Sequence, residues 1–122
     1  MKIVIALALA LLLQGKNPDA SDVSAAIVPG GVAIYAMLTN PTMYDTYVQS
    51  GTSGDGTIEL RDEHNKTTNN LAIPSFGSLE LKAGGPLVLV SALKGQPKAG
   101  DTINLKLMTD GGIAIAITAV VK

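Results

Sequence analysis

Residues 79–107, LELKAGGPLVLVSALKGQPKAGDTINLKL, decide the fold of this 122-residue chain. They contain two apolar runs of strand length. The first run follows Gly84-Gly85-Pro86, and the turn sequence KGQPKAGD at residues 94–101 separates it from the second. Short apolar runs that are bounded by glycine- and proline-rich turns predict β-strands rather than helices.

The same alternation of strands and turns continues toward the C-terminus. Within residues 102–108, Ile103, Leu105 and Leu107 alternate with polar side chains, and residues 113–121 alternate in the same way. A period of two predicts strands with one buried face. The Asp-Gly-Gly sequence between them predicts a hairpin turn, because these residues readily adopt positive φ angles.

Further strand-like runs occupy residues 32–39 and 57–61, whereas residues 62–70 (DEHNKTTNN) are polar throughout and predict a solvated loop. No helix-length amphipathic segment occurs after residue 13. We therefore predict an all-β protein, a cupredoxin-like or immunoglobulin-like antiparallel β-sandwich of about seven to nine short strands.

Composition limits the possible functions. A net charge of −1 with dispersed acids and bases excludes a nucleic-acid footprint, which needs clustered basic residues. Aromatic residues make up only 3% of the chain, and the absence of cysteine excludes disulfides, thiolate metal sites and cysteine nucleophiles. The length fits one domain with a core built from aliphatic side chains.

The N-terminus has the layout of a secretory signal peptide. Met1-Lys2 precedes an unbroken apolar run at residues 3–13, and a polar stretch follows. The run is shorter than the roughly 20 residues that a membrane-spanning helix needs. We therefore predict a leader at residues 1–20, a single domain at residues 22–122, a periplasmic or secreted location, and no stable membrane span after processing. The alternative is that the apolar run forms a buried first strand or helix.

Several segments, in order and at similar spacing, resemble the periplasmic copper-chaperone family known as PCu(A)C. The segments that carry the resemblance are residues 28–40 (VPGGVAIYAMLTN), 48–60 (VQSGTSGDGTIEL), 73–74 (IP), 79–86 (LELKAGGP) and 97–102 (PKAGDT). The resemblance implies a β-sandwich that binds Cu(I) and delivers it to a copper-accepting oxidase or another periplasmic protein.

The chain departs from that family at the positions that carry the metal ligands. Where the family has two histidines and a methionine, this sequence has Arg61, Leu87 and Leu89, and residues 62–70 lack the methionine of the family's hairpin. Soft thioether and imidazole donors select Cu(I). Arginine stays protonated and leucine has no lone pair. The cofactor is therefore copper(I) by resemblance, or none.

Two other residues are candidate metal ligands. His64 is the only histidine, and it is interpreted either as a displaced copper ligand or as a solvated loop residue. Met43 lies in a turn that follows Asn40-Pro41 and could lie near the same end of the sandwich. The chain has no Gly-x-Ser-x-Gly motif and no other nucleophile context, so we predict that it is not an enzyme. Two hypotheses remain, a copper chaperone and a β-sandwich interaction or structural module that binds no metal.

Overall fold

A computed structural model describes residues 17–122, which form ten strands and no helix. The predicted leader's apolar run, residues 3–13, lies outside the described residues. The strands are β1 (Asp19–Val28), β2 (Gly31–Thr39), β3 (Thr46–Ser53), β4 (Thr57–Arg61), β5 (Thr67–Thr68), β6 (Leu71–Ile73), β7 (Ser78–Leu81), β8 (Leu87–Ser91), β9 (Thr102–Thr109) and β10 (Ala114–Val120).

Two antiparallel sheets form a sandwich, which confirms the predicted fold class. One sheet has the order β1-β2-β8-β4-β5, with β7 also paired to β2, and the other has the order β10-β9-β3-β6. The sheets meet at one edge, where Ala25 of β1 bridges Val121 and its carbonyl accepts a hydrogen bond from the Lys122 amide at 2.9 Å. This edge contact closes one side of the sandwich.

The core lies between the sheets and consists of aliphatic side chains only. Ile103, Leu105 and Leu107 of β9 are buried, as are the facing residues of β10, whereas their neighbours point to solvent. The period-two prediction for these two strands is therefore confirmed. The buried core side chains of the other sheet include Val32, Ile34, Leu38, Val88 and Val90.

A glycine at the start of β2 allows this strand to pair closely with β8. A β carbon on Gly31 would lie 2.1 Å from the Val90 carbonyl oxygen, and its φ of 154° is rare for residues with a side chain. Val32, the next residue, is the register partner of Val90. The Pro-Gly-Gly turn that the sequence shows is thus required by backbone packing at this junction.

Three features were not predicted from the sequence. The first is β1, whose apolar residues do not alternate regularly. A register shift between Ser21 and Ser24 interrupts the strand, and Asp22 within it has a φ of 51°. β3 continues through Ser53, past Gly51 and into a stretch of small and polar residues. β5 is a two-residue strand inside the polar segment 62–70, and it raises the strand number to ten.

Because the described residues form only strands and turns, none of them belongs to a helix that could cross a membrane.

Candidate functional site

Strand register brings Arg61, Leu87 and Leu89 together. In the antiparallel pair β4–β8, Arg61 is opposite Leu87, and Glu59 is opposite Leu89. Directly opposed residues and residues two apart point to the same face of a sheet. The turn that precedes β8 is closed by a hydrogen bond from the Lys82 amide to the Pro86 carbonyl at 2.9 Å.

These residues lie on the face of the sheet that points away from the core. Their strand neighbours Leu60, Val88 and Val90 are buried in the core between the two sheets. Leu89 is nevertheless only 7% exposed, and Leu87 is half-buried. The two leucines therefore form an apolar part of the outer face that is largely shielded from solvent.

Arg61 is held by polar side chains on the same face. Its Nη2 atom lies 2.9 Å from Oε2 of Glu59, and its Nη1 atom donates to Oδ1 of Asn65 at 3.2 Å. The Thr67 hydroxyl donates to the other oxygen of Glu59. This hydrogen bond, and then the Arg61 guanidinium, lower the pKa of Glu59 below its usual value. The polar cluster Glu59–Arg61–Asn65–Thr67 therefore contains an ionised carboxylate that already has a cationic partner.

His64 lies at the tip of the turn between β4 and β5. Its side chain is 73% exposed, and Nε2 lies 3.7 Å from a carboxylate oxygen of Glu63. The Asp62 carboxylate accepts hydrogen bonds from the Lys66 and His64 amides, which lower the pKa of Asp62. These hydrogen bonds hold the backbone of the turn, and the imidazole of His64 remains exposed to solvent.

Met43 is 66% exposed and lines a shallow depression with Pro41, Thr42, Tyr44 and Phe76. His64 is not among the residues that line it. The structure therefore shows no shared site for His64 and Met43, and both remain predicted ligands.

The loops around Met43 are organised by Asn40, whose side chain is fully buried. Its Nδ2 atom donates to the carbonyls of Tyr44 at 2.8 Å and Ile73 at 3.0 Å. Its Oδ1 atom accepts from the amide and the hydroxyl of Thr42. We did not single out Asn40 from the sequence, where the Asn-Pro pair indicated only a turn.

Comparison with known proteins identifies the fold. No protein-family model and no curated protein matches the sequence. Among solved structures, a copper-bound PCuAC domain from PmoF2 has a TM-score of 0.72 at 13% identity, covering 84% of this chain and 90% of that domain. The apo PCuAC domain from PmoF1 has the same TM-score at 14% identity, with 84% and 91% covered.

A third structure, the Cu(I) form of DR1885 from Deinococcus radiodurans, is 27% identical with a TM-score of 0.68 and covers 86% of this chain and 76% of that one. The chain has a PCuAC-type fold. This confirms the fold that the sequence resemblance implied.

The PCuAC-type sandwich of this chain offers no soft donor at Arg61, Leu87 or Leu89. A guanidinium carries only protonated nitrogens, and leucine carries no donor atom. Within residues 17–122, no group of three or more histidine, cysteine, aspartate or glutamate side chains is placed to hold a metal ion. The residues at this face therefore do not fit Cu(I), which prefers thioether, thiolate and imidazole ligands.

The hydrogen bond from Thr67 and the ion pair with Arg61, which both lower the pKa of Glu59, predict a pH dependence of stability. A lowered pKa in the folded state means that ionised Glu59 stabilises the fold above its unfolded-state pKa, and that this contribution disappears as the pH falls through the lower folded-state value. We expect Glu59→Gln to reduce the free energy of unfolding by up to about 1 kcal/mol at neutral pH, since the pair is partly exposed.

Urea unfolding of both proteins as a function of pH measures this effect. The difference between wild type and Glu59→Gln should shrink as the pH falls below about 4. Glu80→Gln is the matched control, because Glu80 is a strand carboxylate that lies 3.9 Å from Lys82 and is more exposed. A difference that stays constant with pH would contradict the assigned role of Glu59.

Proposed function

We propose that this chain is an exported, non-enzymatic PCuAC-type domain that binds no Cu(I) at the outer face of β4 and β8 and serves as a binding or structural module. The observation that carries this proposal is the direct register of Arg61 with Leu87. These are two of the four ligand positions that the sequence resemblance implies. A cation and an aliphatic side chain occupy them, and Leu89 closes the surface beside them.

Electrostatics support the same conclusion. A metal cation at this face would meet the positive charge of Arg61 a few ångströms away, and the nearby Glu59 carboxylate is already paired with that arginine at 2.9 Å. Displacing this pair would cost the hydrogen bonds of Arg61 and would provide only a hard oxygen donor in return. The ion pair between Arg61 and Glu59 therefore occupies the face on which a copper site would otherwise lie.

Competition for Cu(I) against a chromophoric chelator, under anaerobic and reducing conditions, tests the proposal. We expect the full chain to leave the chelator's copper complex unchanged at submicromolar free copper. Stoichiometric removal of Cu(I) from the chelator by the wild-type chain would overturn the proposal.

Copper handling is the second candidate, because the similar structures include a copper-bound PCuAC domain and a Cu(I) protein. In this chain it would depend on His64 and Met43, which are both exposed. Under this candidate the wild type competes for Cu(I), and His64→Ala and Met43→Ser each abolish the competition. Competition that survives both changes would exclude these two residues as ligands.

A further inference from the structure

The turn between β4 and β5 carries an acceptor sequence for N-linked glycosylation. Residues 63–67 read EHNKT, so that Asn65 is followed by a threonine two positions later, with no proline between them. Asn-x-Ser/Thr is the triplet that is glycosylated in exported proteins. The transferring enzymes of bacterial periplasms also require an acidic residue two positions before the asparagine, which a cationic side chain of the enzyme recognises. Glu63 occupies that position.

The other asparagines of the chain do not meet these requirements. Asn40 precedes Pro41-Thr42, but a proline at the middle position excludes transfer, and the Asn40 side chain is fully buried. Asn69 and Asn70 are exposed in the same polar segment, yet a leucine and an alanine stand two positions after them. Asn65 is therefore the one asparagine in the sequence that has both the hydroxyl residue and the acidic residue at the required distances.

The structure presents this sequence at the tip of a closed turn. All five residues from 63 to 67 are exposed. The Asp62 amide donates to the Lys66 carbonyl at 2.9 Å, and the Asn65 amide donates to the Asp62 carbonyl at 3.0 Å. A modifying enzyme can therefore reach the whole acceptor sequence without unfolding a sheet.

A hydrogen bond from Arg61 orients the side chain of Asn65. The Nη1 atom of Arg61 lies 3.2 Å from Oδ1 of Asn65. Because a guanidinium only donates hydrogen bonds, the amide oxygen must face it, and the amide nitrogen Nδ2 faces elsewhere. Among the described residues, Nδ2 has no hydrogen-bond partner. The nitrogen that would receive the sugar is thus exposed and unpaired.

The backbone of the turn explains only part of this sequence. Asn65 has a φ of 60°, a conformation that asparagine tolerates better than most residues. Thr67 donates its hydroxyl hydrogen to Glu59, and the hydroxyl oxygen can still accept a hydrogen bond. The carboxylate of Glu63 approaches only the exposed His64, at 3.7 Å, so the fold gives no reason for an acid at this position.

We infer that Asn65 is an N-glycosylation site whose donor is an oligosaccharide linked through diphosphate to a polyprenyl lipid. Nδ2 attacks the anomeric carbon of the first sugar and forms the new C–N bond. The bond between that carbon and the diphosphate oxygen breaks, its electron pair leaves with the lipid diphosphate, and a base of the transferring enzyme takes one amide proton. The inference rests on the export that we propose above, and it holds whether or not the domain binds copper.

Mass spectrometry of the full chain expressed in its native host and isolated from the periplasmic fraction tests the inference. Trypsin cleaves after Arg61 and Lys66, so that Asn65 lies in a different peptide from Asn69 and Asn70. We expect a glycan mass on the peptide of residues 62–66 and none on the peptide with the other two asparagines. Asn65→Asp, which tolerates the same backbone conformation, should carry no glycan.

Two variants of Glu63 test recognition of the acceptor sequence. Glu63→Gln should lower the modified fraction several-fold, because the enzyme loses a charge-assisted contact, whereas Glu63→Asp is the matched control and should remain modified. Equal modification of the two variants would overturn the role of Glu63. An unmodified Asn65 in periplasmic protein that has lost its leader would overturn the inference and leave export intact. Recovery of the protein from the cytoplasm alone would overturn both.

Discussion

The triple variant R61H/L87H/L89M should bind Cu(I) at least about a hundredfold more tightly than the unaltered chain, a gain of about 2.7 kcal/mol. Arg61 and Leu87 are direct register partners, and Leu89 lies two residues further along the same face of β8. Two imidazoles and one thioether at these positions would converge on the outer face and provide the soft donors that Cu(I) prefers. Removing Arg61 also removes the positive charge that opposes a cation there.

Anaerobic competition with a Cu(I) chelator measures this gain. The matched control is R61Q/L87Q, which has amide side chains of similar size and keeps the native leucine at position 89, so that only the soft donors differ. We expect the control to behave like the wild type. Equal copper binding by the triple variant and the control, or none by either, would contradict the placement of the site at this face.

The second large effect is on stability. Asn40→Ala should lower the free energy of unfolding by about 3 kcal/mol, because it leaves the buried carbonyl of Ile73 and the amide of Thr42 without their partner and removes a fully buried side chain. Urea unfolding should show a lower midpoint with an unchanged slope, which indicates a loss of stability without a change in the surface exposed.

Asn69→Ala is the matched control for this prediction, because Asn69 is an exposed residue of the same type and is expected to change stability by no more than about 0.5 kcal/mol. A loss below about 1 kcal/mol for Asn40→Ala would show that water replaces its hydrogen bonds and that the loops do not depend on it. That result would also contradict the role of Asn40 in holding the loops around Met43.

The sequence predicted those strands in which buried and exposed side chains alternate regularly. Ile103, Leu105 and Leu107 alternate because β9 has one face in the core, and Gly31 marks a turn because the Val90 carbonyl leaves no room for a side chain. β1 was not predicted, because its register shift near Asp22 interrupts the alternation of buried and exposed side chains.

The candidate site was predictable only in part. The positions of Arg61, Leu87 and Leu89 followed from the resemblance, and strand register explains how they come together. The ion pair with Glu59 depends on the rotamers of two side chains on one strand, and a sequence pattern does not encode them. The exposed cluster of Met43, Tyr44 and Phe76 was missed because Phe76 and Tyr44 are separated by 31 residues and meet only when β2 pairs with β7.

The most direct test of the central claim is a titration of the ¹⁵N-labelled full chain with Cu(I), followed through its amide NMR spectrum. If the outer face of β4 and β8 carries an ion pair and leucines in place of a copper site, the amide signals of Arg61, Leu87 and Leu89 keep their positions and intensities at one equivalent of Cu(I). Saturable shifts of these three signals at one equivalent would contradict the account.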